Sequence, residues 1–523
     1  MKIKRYLLLI LVFLNLSISG YGQDEKNAHL YGELYALEDR QHIRVKMWSD
    51  PFDFAQKRAA SIDTLITVKQ TSLLQGAINQ RTKDFALEVD QANLPAWISF
   101  EDEAGIKRYG PYLLSKGDSI KIKIDQVEST VLFGGPSRYA FEMMHNLSQL
   151  VDRATFDQPS YLVYSSSNAF DQASATKVQD NNGQFRRKVL PVVSRVDRFA
   201  KMKSDLSVLE DEDFWTQVAF YKERTPAFVA DAVMTEIISN LYIKVFYGFY
   251  GYYYRDLEER EPALKPQFEA FFKVKESEID SYVSDFDPSF SPTYLKMQEY
   301  RMLAKSMISG KSVFEESGLE EKAALREAIL TGHYLERKNI LKFGIKDFGT
   351  FLQEVERPKF KKLLEPWYAA SLPGIQVPEY PFLNEAGEEV SLRDFEGKIV
   401  LLNIWMTGCS ACKFFNEDHF IRLKERYGED KEVVLLALSL DRNEKIWKRS
   451  REMGTYAPDD TMHLWTGLST NPTAHPYLSY FNISSAPQLQ LIDQAGKLTG
   501  LGIADKTYEG ISAEIEKLKS SNP

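Results

Sequence analysis

The sequence predicts a multidomain protein with an all-β N-terminal part, an α-helical middle part and an α/β C-terminal part. Apolar and polar residues alternate with strand periodicity up to about residue 133, and helical spacing follows from 137 to about 370. A buried strand followed directly by a helix is then predicted within 399–427. With 523 residues, 44% of them hydrophobic, the chain is long enough for several cores, and 13% aromatic content opposes disorder.

Residues 24–133 are predicted to form a small β-sandwich. The predicted strands are 29–34, 42–48, 62–68, 85–89, 96–100 and 116–125. In the last of these strands isoleucines alternate with polar residues after the turn at Gly117 and Asp118. Such a module could bind a partner or serve a structural role, and the pattern leaves both possibilities open.

Residues 137–370 are predicted to form the α-helical domain. The predicted helices are 139–151, 213–222, 227–247, 263–286, 292–309, 320–330 and 348–370. Between the first two helices, 155–184 is rich in Ser, Asn, Gln and Asp and is predicted to be an exposed loop. The aromatic run 246–254 is predicted to belong to a core rather than to a groove. A Pro- and Gly-containing linker at 372–378 leads into the C-terminal domain, 373–523.

The C-terminal domain contains both cysteines of the chain, Cys409 and Cys412. The predicted strand 399–404 precedes them and a predicted helix, 412–427, follows, which places Cys409 at a helix N-terminus. Unpaired amides and the helix dipole favour a thiolate there, and the cationic Lys413 adds to the effect. We therefore expect Cys409 to attack a partner's thiol or disulfide and Cys412 to resolve the mixed disulfide.

Three other roles would also place two cysteines at this spacing. A zinc site needs about four ligands, and only scattered histidines such as His419, His463 and His475 would remain to complete it. An inert structural disulfide would close a very short loop and stabilise little. A peroxidase would need a proline and a threonine ahead of its reactive cysteine, where this chain has Leu402 and Met406.

Several separated motifs indicate a family. They are 381–398 with its Gly-Lys ending, Asn403–Trp405, 432–441 ending in Asp, and 483–497 with its Ala-Pro pair. Together they resemble the thioredoxin-like domain of extracytoplasmic thiol-disulfide oxidoreductases of the TlpA and ResA kind. The resemblance implies a cis Pro487 that faces Cys409, backbone groups of Ala486 that pair with substrate, and a Trp405 that orients the active-site helix. More weakly, 24–133 resembles the domain that precedes such domains in secreted Bacteroidetes proteins.

The sequence also departs from the family pattern. Gly408 stands where a tryptophan is common, so we expect one face of the cleft to be more open. Asn403 replaces the carboxylate that serves cytoplasmic thioredoxins as a base, and Phe415 replaces a glutamate of many relatives. Glu417, Asp418 or water would then accept the proton, with His419 as a weaker candidate. The redox direction of the pair is therefore not predicted.

The N-terminus predicts export. Residues 1–22 read as a cleavable signal peptide with a basic start, an apolar stretch from 6 to 16 and small residues before the cleavage site. We expect a soluble periplasmic protein that does not span the membrane, and no lipid attachment because no cysteine follows the apolar stretch. Loss of three cations takes the net charge from -9 to -12 (-9 minus 3), which disfavours nucleic acid or anionic membrane as partners.

The sequence thus predicts a periplasmic oxidoreductase that exchanges disulfides with envelope proteins through Cys409 and Cys412, aided by Pro487. The expected partners are protein thiols and disulfides and a membrane-linked reductant of the DsbD kind, with no flavin, metal or nucleotide. An alternative is an envelope binding or assembly protein that uses the thioredoxin-like domain as a scaffold. A cytochrome c maturation reductase is less favoured, because the segment before Pro487 lacks a glycine-rich signature.

Overall fold

A computed structural model describes most of the chain. The described residues are 27–35, 42–70, 82–102, 108–156, 160–163, 189–192, 202–250, 262–283, 290–318, 322–336, 345–468, 474–483, 485–499 and 507–520. The predicted signal peptide and residues 251–254 of the aromatic run lie outside them. The chain divides into two compact units, 1–311 and 312–523.

The N-terminal unit begins with two β-sheets. Their strands are β1 Ala28–Tyr35, β2 His42–Trp48, β3 Ile62–Thr67, β4 Lys69–Gln70, β5 Thr82–Val89, β6 Ala96–Glu101, β7 Arg108–Leu114, β8 Ser119–Asp125 and β9 Thr130–Gly134. One sheet has the order β4-β5-β1-β8-β9 and the other β3-β2-β6-β7. Phe85 and Phe100 meet between the sheets, with ring centroids 6.2 Å apart. The predicted all-β start of the chain is confirmed.

Helices follow these sheets within the same unit. They are α1 Pro51–Ala55, which lies between β2 and β3, then α2 Arg138–Phe156, α3 Glu212–Lys222, α4 Ala227–Gly248, α5 Lys265–Tyr282 and α6 Pro292–Ser309. Glu236 of α4 accepts hydrogen bonds from the side chains of Ser291 and Thr293, at the start of α6. It also accepts from the Thr293 backbone amide at 3.1 Å. The carboxyl group therefore caps α6 and joins it to α4.

Two predictions for this part have different outcomes. Phe246 and Phe249 are buried and pack on Phe272, as predicted for the run, whereas Tyr247 between them is exposed. The segment 155–184, predicted as a loop, instead contains strand β10, Ser160–Val163, which pairs in parallel with β11, Val189–Val192. The remainder of that predicted loop, apart from the last turn of α2, lies outside the described residues.

Four helices are described at the start of the C-terminal unit. They are α7 Val313–Ser317, α8 Ala323–Leu335, α9 Ile345–Glu354 and α10 Pro358–Ser371. The segment 348–370, predicted as one helix, is therefore two, because Pro358 cannot donate the backbone hydrogen bond that would continue α9. The side chain of Asn482 donates to the Leu335 carbonyl, which links α8 to the α/β part. The predicted domain limits 24–133, 137–370 and 373–523 stay predictions.

A six-stranded sheet forms the centre of this unit. Its strands are β12 Phe382–Leu383, β13 Glu389–Val390, β14 Ile399–Trp405, β15 Val433–Ser439, β16 Met462–Trp465 and β17 Gln488–Ile492. Their order is β13-β12-β16-β15-β14-β17. Strands β14, β15 and β16 run parallel to each other, and β17 runs antiparallel to β14. All seven residues of β14 are buried, as expected for a central strand of a covered sheet.

Helical segments complete the α/β part. They are α11 Ser410–Phe415, a π-helical turn Asn416–Phe420, α12 Ile421–Tyr427, α13 Glu444–Glu452, α14 Pro476–Tyr480 and α15 Tyr508–Ser520. Apolar residues of the sheet and of these helices form one core. The predicted helical middle and α/β end of the chain are thereby confirmed. Among the described helices, none is both long and apolar enough to cross a bilayer.

Candidate active site

The two cysteines follow the central strand β14. Cys409 is the N-cap residue of α11, and its Sγ accepts a hydrogen bond from the backbone amide of Cys412 at 3.0 Å. The position at the N-terminus of the helix, predicted from the spacing of the sequence, is therefore observed. A sulfur that receives this amide hydrogen bond is held where the helix favours negative charge.

Cys409 and Cys412 form a disulfide and differ in exposure. Cys409 is partly buried, whereas Cys412 is 1% exposed and packs in the core. An incoming thiolate can therefore approach Cys409 more readily than Cys412. This asymmetry supports the predicted division of roles between an attacked and a shielded sulfur.

The predicted proline loop lies opposite the cysteines. The Ala486–Pro487 peptide bond is cis, and the Ala486 carbonyl oxygen lies 3.7 Å from the Cys409 Sγ. Because the disulfide sulfur carries no proton, this is a contact and not a hydrogen bond. Strand β17 begins at the next residue, Gln488, and pairs with Ile404 of β14. The neighbouring strands thus bring this loop beside the cysteine turn.

Trp405 ends β14 and is fully buried. Its ring stacks on that of Tyr456, with centroids 5.1 Å apart and planes inclined by 13°. Leu440, just after β15, donates its amide to the Trp405 carbonyl at 2.8 Å. The indole nitrogen has no hydrogen-bond partner among the described residues. Trp405 is therefore a packed residue, its role in orienting the active-site helix stays a prediction, and its partner Tyr456 was not predicted.

A buried carboxylate fixes the loop ahead of the cysteines. Asp441, 8% exposed, accepts from the Thr407 amide at 2.9 Å and from the Thr407 hydroxyl at 2.7 Å. Ser439 donates to the same carboxylate at 3.0 Å, and Ser450 shares a 2.8 Å hydrogen bond with the Thr407 hydroxyl. The sequence indicates Asp441 only as the end of a strand motif. Its role in holding the loop could not be seen without the fold.

The positions that depart from the family pattern have new partners. Asn403 is buried and donates to the Tyr456 carbonyl at 3.3 Å. Gly408 has a φ of +84°, a left-handed conformation that residues with a side chain rarely adopt. A Cβ added there would meet nothing within 4 Å, and the more open cleft stays a prediction.

Charged and polar residues on the active-site helix are only loosely connected to the cysteines. The Lys413 ammonium lies 3.6 Å from the Glu417 carboxylate one turn further on, and both are about half exposed. Part of the positive charge of Lys413 is therefore balanced within the helix, which weakens its predicted effect on a thiolate.

Phe415 is buried and contacts the His419 ring edge to face, with ring centroids 5.4 Å apart. This contact favours a packing role for His419 over a proton relay.

The histidines considered for zinc have structural partners. His463 Nε2 lies 2.9 Å from the Pro458 carbonyl, and His475 Nε2 lies 3.0 Å from the Pro381 carbonyl. These bonds require a proton on Nε2, and burial lowers the pKa of both rings, which favours their neutral form. The described residues contain no group of three or more His, Cys, Asp or Glu that could hold a metal ion.

The geometry of this site agrees with the protein family that the C-terminal sequence matches. Residues 397–498 match the family described as Thioredoxin-like. The C-terminal part of the chain is a thioredoxin-like domain. The predicted resemblance to thiol-disulfide oxidoreductases of the ResA kind, and with it the class of enzyme, is confirmed by the relatives of this domain.

Two curated relatives and one solved structure illustrate the match. The thioredoxin-like protein YneN of Bacillus subtilis is 25% identical over 143 residues, which are 27% of this chain and 78% of that protein. The thiol-disulfide oxidoreductase ResA of Halalkalibacterium halodurans is 25% identical over 146 residues, 28% of this chain and 77% of that protein. The thioredoxin domain of a thiol-disulfide oxidoreductase from Bacteroides vulgatus is 25% identical, with 28% of this chain and 98% of that chain covered and a TM-score of 0.24.

Proposed function

We propose that the protein exchanges disulfides with proteins of the bacterial envelope through Cys409 and Cys412. The observation that carries the proposal is the asymmetry of the pair at the helix N-terminus. Cys409 is the accessible sulfur and faces the Ala486 carbonyl, while Cys412 is shielded in the core. Such a pair suits stepwise exchange through a mixed disulfide.

The proposed reaction transfers two electrons without a cofactor. In the reduced protein the Cys409 thiolate attacks a client disulfide, forms a mixed disulfide and releases one client thiolate. The Cys412 thiolate then attacks the Cys409 sulfur, closes the internal disulfide and releases the second client thiolate, and water supplies the two protons. The reverse sequence oxidises a client dithiol. A membrane-linked reductant of the DsbD kind would return the pair to its reduced form.

The residues around the pair have supporting roles in this proposal. Pro487 shapes the cleft, and the backbone of Ala486 pairs with an extended client segment, as strand addition does elsewhere. Trp405 orients the active-site helix by packing, and Lys413 contributes a weak positive charge. The periplasmic location rests on the predicted signal peptide, residues 1–22, and would be tested by sequencing the N-terminus of the exported protein.

The decisive experiment traps the intermediate. Purified full-length protein should accelerate the reduction of insulin disulfides by dithiothreitol, and Cys412→Ser should accumulate a mixed disulfide with a cysteine-containing client. Cys409→Ser is the matched control and should do neither. If neither wild-type turnover nor a trapped complex is observed, the enzymatic proposal fails. Client capture that persists in the double cysteine variant would favour a binding or assembly protein instead.

A further inference from the structure

We propose that Tyr456 is a positioning residue of the redox site, which holds the turn that presents Cys409. This inference rests on the proposed exchange function and adds a residue to it. Tyr456 lies in the loop between α13 and β16, remote in sequence from the cysteines. No cysteine motif includes it, and its role follows only from its contacts.

Tyr456 contacts the cysteine turn through its hydroxyl group. The Gly408 amide, one residue before Cys409, donates to the Tyr456 Oη at 2.8 Å. The ring stacks on Trp405, and the backbone carbonyl accepts from Asn403. Three separate groups of one residue thus hold the end of β14 and the loop that follows it.

The loop that carries Tyr456 is itself tied to the active-site helix. Asn416, 1% exposed, lies in the π-helical turn that continues α11. Its side-chain amide donates to the Gly454 carbonyl at 3.0 Å and to the Thr455 carbonyl at 3.2 Å. Because the loop is bound to the strand before the cysteines and to the helix after them, the Tyr456 hydroxyl has a fixed position relative to both.

Gly408 needs such a support from outside. With a φ of +84° and no side chain, it contributes no packing that would hold its own peptide in place. Two other hydrogen bonds of backbone amides hold the turn. The Thr407 amide donates to the Asp441 carboxylate, and the Cys409 amide donates to the Met406 carbonyl at 3.3 Å. The Tyr456 hydroxyl is thus the acceptor that holds the Gly408 amide, one residue before the reactive sulfur.

The two redox states should depend on this support to different degrees. In the oxidised protein the disulfide restrains Cys409 covalently. In the reduced protein that restraint is lost. Whether the Cys409 sulfur still accepts the hydrogen bond of the Cys412 amide then depends only on the hydrogen bonds that hold the turn. Removal of the Tyr456 hydroxyl should therefore destabilise the reduced form more than the oxidised form.

Tyr456→Phe tests this inference, because it removes the hydroxyl and keeps the ring that stacks on Trp405. The equilibrium constant for reduction of the pair by glutathione should fall about two- to tenfold, the range for loss of one hydrogen bond. A tenfold fall corresponds to a reduction potential about 30 mV more negative. The pH midpoint for alkylation of Cys409 in the reduced protein should also rise. Both are measured by mass shift after alkylation.

Tyr427→Phe is the matched control. It also removes a tyrosine hydroxyl of this domain, which bonds Ser512 and Glu516 away from the cysteines. It should lower stability without a change in the redox equilibrium. Equal potentials for Tyr456→Phe and the wild type would overturn the inference, as would equal shifts for both variants.

A measurement on the wild type keeps the inference testable if the variant fails to fold. Hydrogen exchange of peptides that contain the Gly408 amide should show protection in both redox states, and rapid exchange in both would overturn the inference. The redox equilibrium is measured with glutathione and needs no protein client. An inactive wild type would therefore refute the proposed function while the role of Tyr456 could still be decided.

Discussion

The Thr407 amide and hydroxyl both donate to the carboxylate of Asp441, at 2.9 and 2.7 Å. This pairing joins the loop before Cys409 to the end of the neighbouring strand β15. Because the carboxylate is buried and accepts from Ser439 as well, each of its oxygens has a defined partner. The relationship gives the cysteine turn a support that does not involve the cysteines themselves.

Asp441→Asn should therefore loosen the loop before Cys409. The amide that replaces one oxygen is a donor that faces other donors, so at least one buried hydrogen bond is lost. We expect a loss of about 1–3 kcal/mol in stability. The measurement is hydrogen exchange of peptides from 399–427 in the full chain, which reports on this unit alone.

Asp460→Asn provides the comparison for that substitution. Its carboxylate is exposed and pairs with Lys424 at 3.4 Å, so we expect a change within about 1 kcal/mol. If the two substitutions increase exchange across 399–427 to the same degree, Asp441 does not hold the loop.

Gly408→Ala should cost stability through the backbone alone. A Cβ at this position meets nothing within 4 Å, but the φ of +84° is unfavourable for an L-residue by about 1–2 kcal/mol. If the turn shifts to relieve this strain, the rate at which Cys409 reacts should also fall. The measurements are urea unfolding and the rate of insulin reduction.

Gly387→Ala separates the two effects. Gly387 has a φ of +80° and the same open surroundings, in the hairpin between β12 and β13. We expect a similar loss of stability and an unchanged rate of reduction. Equal loss of rate in the two alanine variants would mean that stability, and not the conformation at Gly408, limits the reaction.

The sequence identified the residues whose signals are local. Cys409 and Cys412 are separated by two residues between a predicted strand and a predicted helix, and Pro487 lies within a family motif. Tyr456 and Asn416 carry no such signal, because their contacts depend on which strands are neighbours in the sheet. The loop 454–456 reaches the cysteines only because β15 is the neighbour of β14 in the sheet and β16 is the neighbour of β15.

Strand β7, Arg108–Leu114, was missed for a similar reason. It contains Gly110 and Pro111, and both residue types argue against a strand in a sequence pattern. Among the described strands β7 lies at the edge of its sheet and pairs with β6 alone. The proline, which has no amide hydrogen, therefore interrupts no hydrogen bonding to a second neighbouring strand. A residue pattern alone does not show whether a strand will be central or at an edge.

The buried histidines should make the C-terminal unit sensitive to acid. Burial lowers the pKa of His463 and His475 below their ordinary value of about 6.5. Below that value the unfolded chain binds more protons than the folded one, so stability should fall as the pH drops from 6.5 and stay level above it. The measurement is the urea midpoint at about pH 7.5, 6.5 and 5.5, a range that spans this pKa.

His463→Gln tests the origin of this dependence. Glutamine offers an amide donor for the Pro458 carbonyl that His463 now contacts, but it does not titrate. The variant should lose less stability between pH 7.5 and 5.5 than the wild type does. The loss that persists in the variant is due in part to His475. A wild-type midpoint that is equal at the two pH values would refute the prediction, and so would an unchanged slope in the variant.

Glu327→Ala should destabilise the helices that precede the thioredoxin-like domain. The Glu327 carboxylate accepts from the amides of Glu356 and Arg357 at 2.9 and 2.8 Å and from the Arg357 guanidinium at 2.6 Å. It therefore caps helix α10, whose own N-cap residue makes no side-chain cap bond. We expect a loss of about 2–3 kcal/mol in stability, since hydrogen bonds to a charged group are involved.

Glu354→Gln is the control. It weakens a more exposed ion pair with Arg326 and should change stability by no more than about 1 kcal/mol, and hydrogen exchange of peptides from 345–371 compares the two variants. Similar exchange in the two variants would show that the carboxylate of Glu327 does not cap α10.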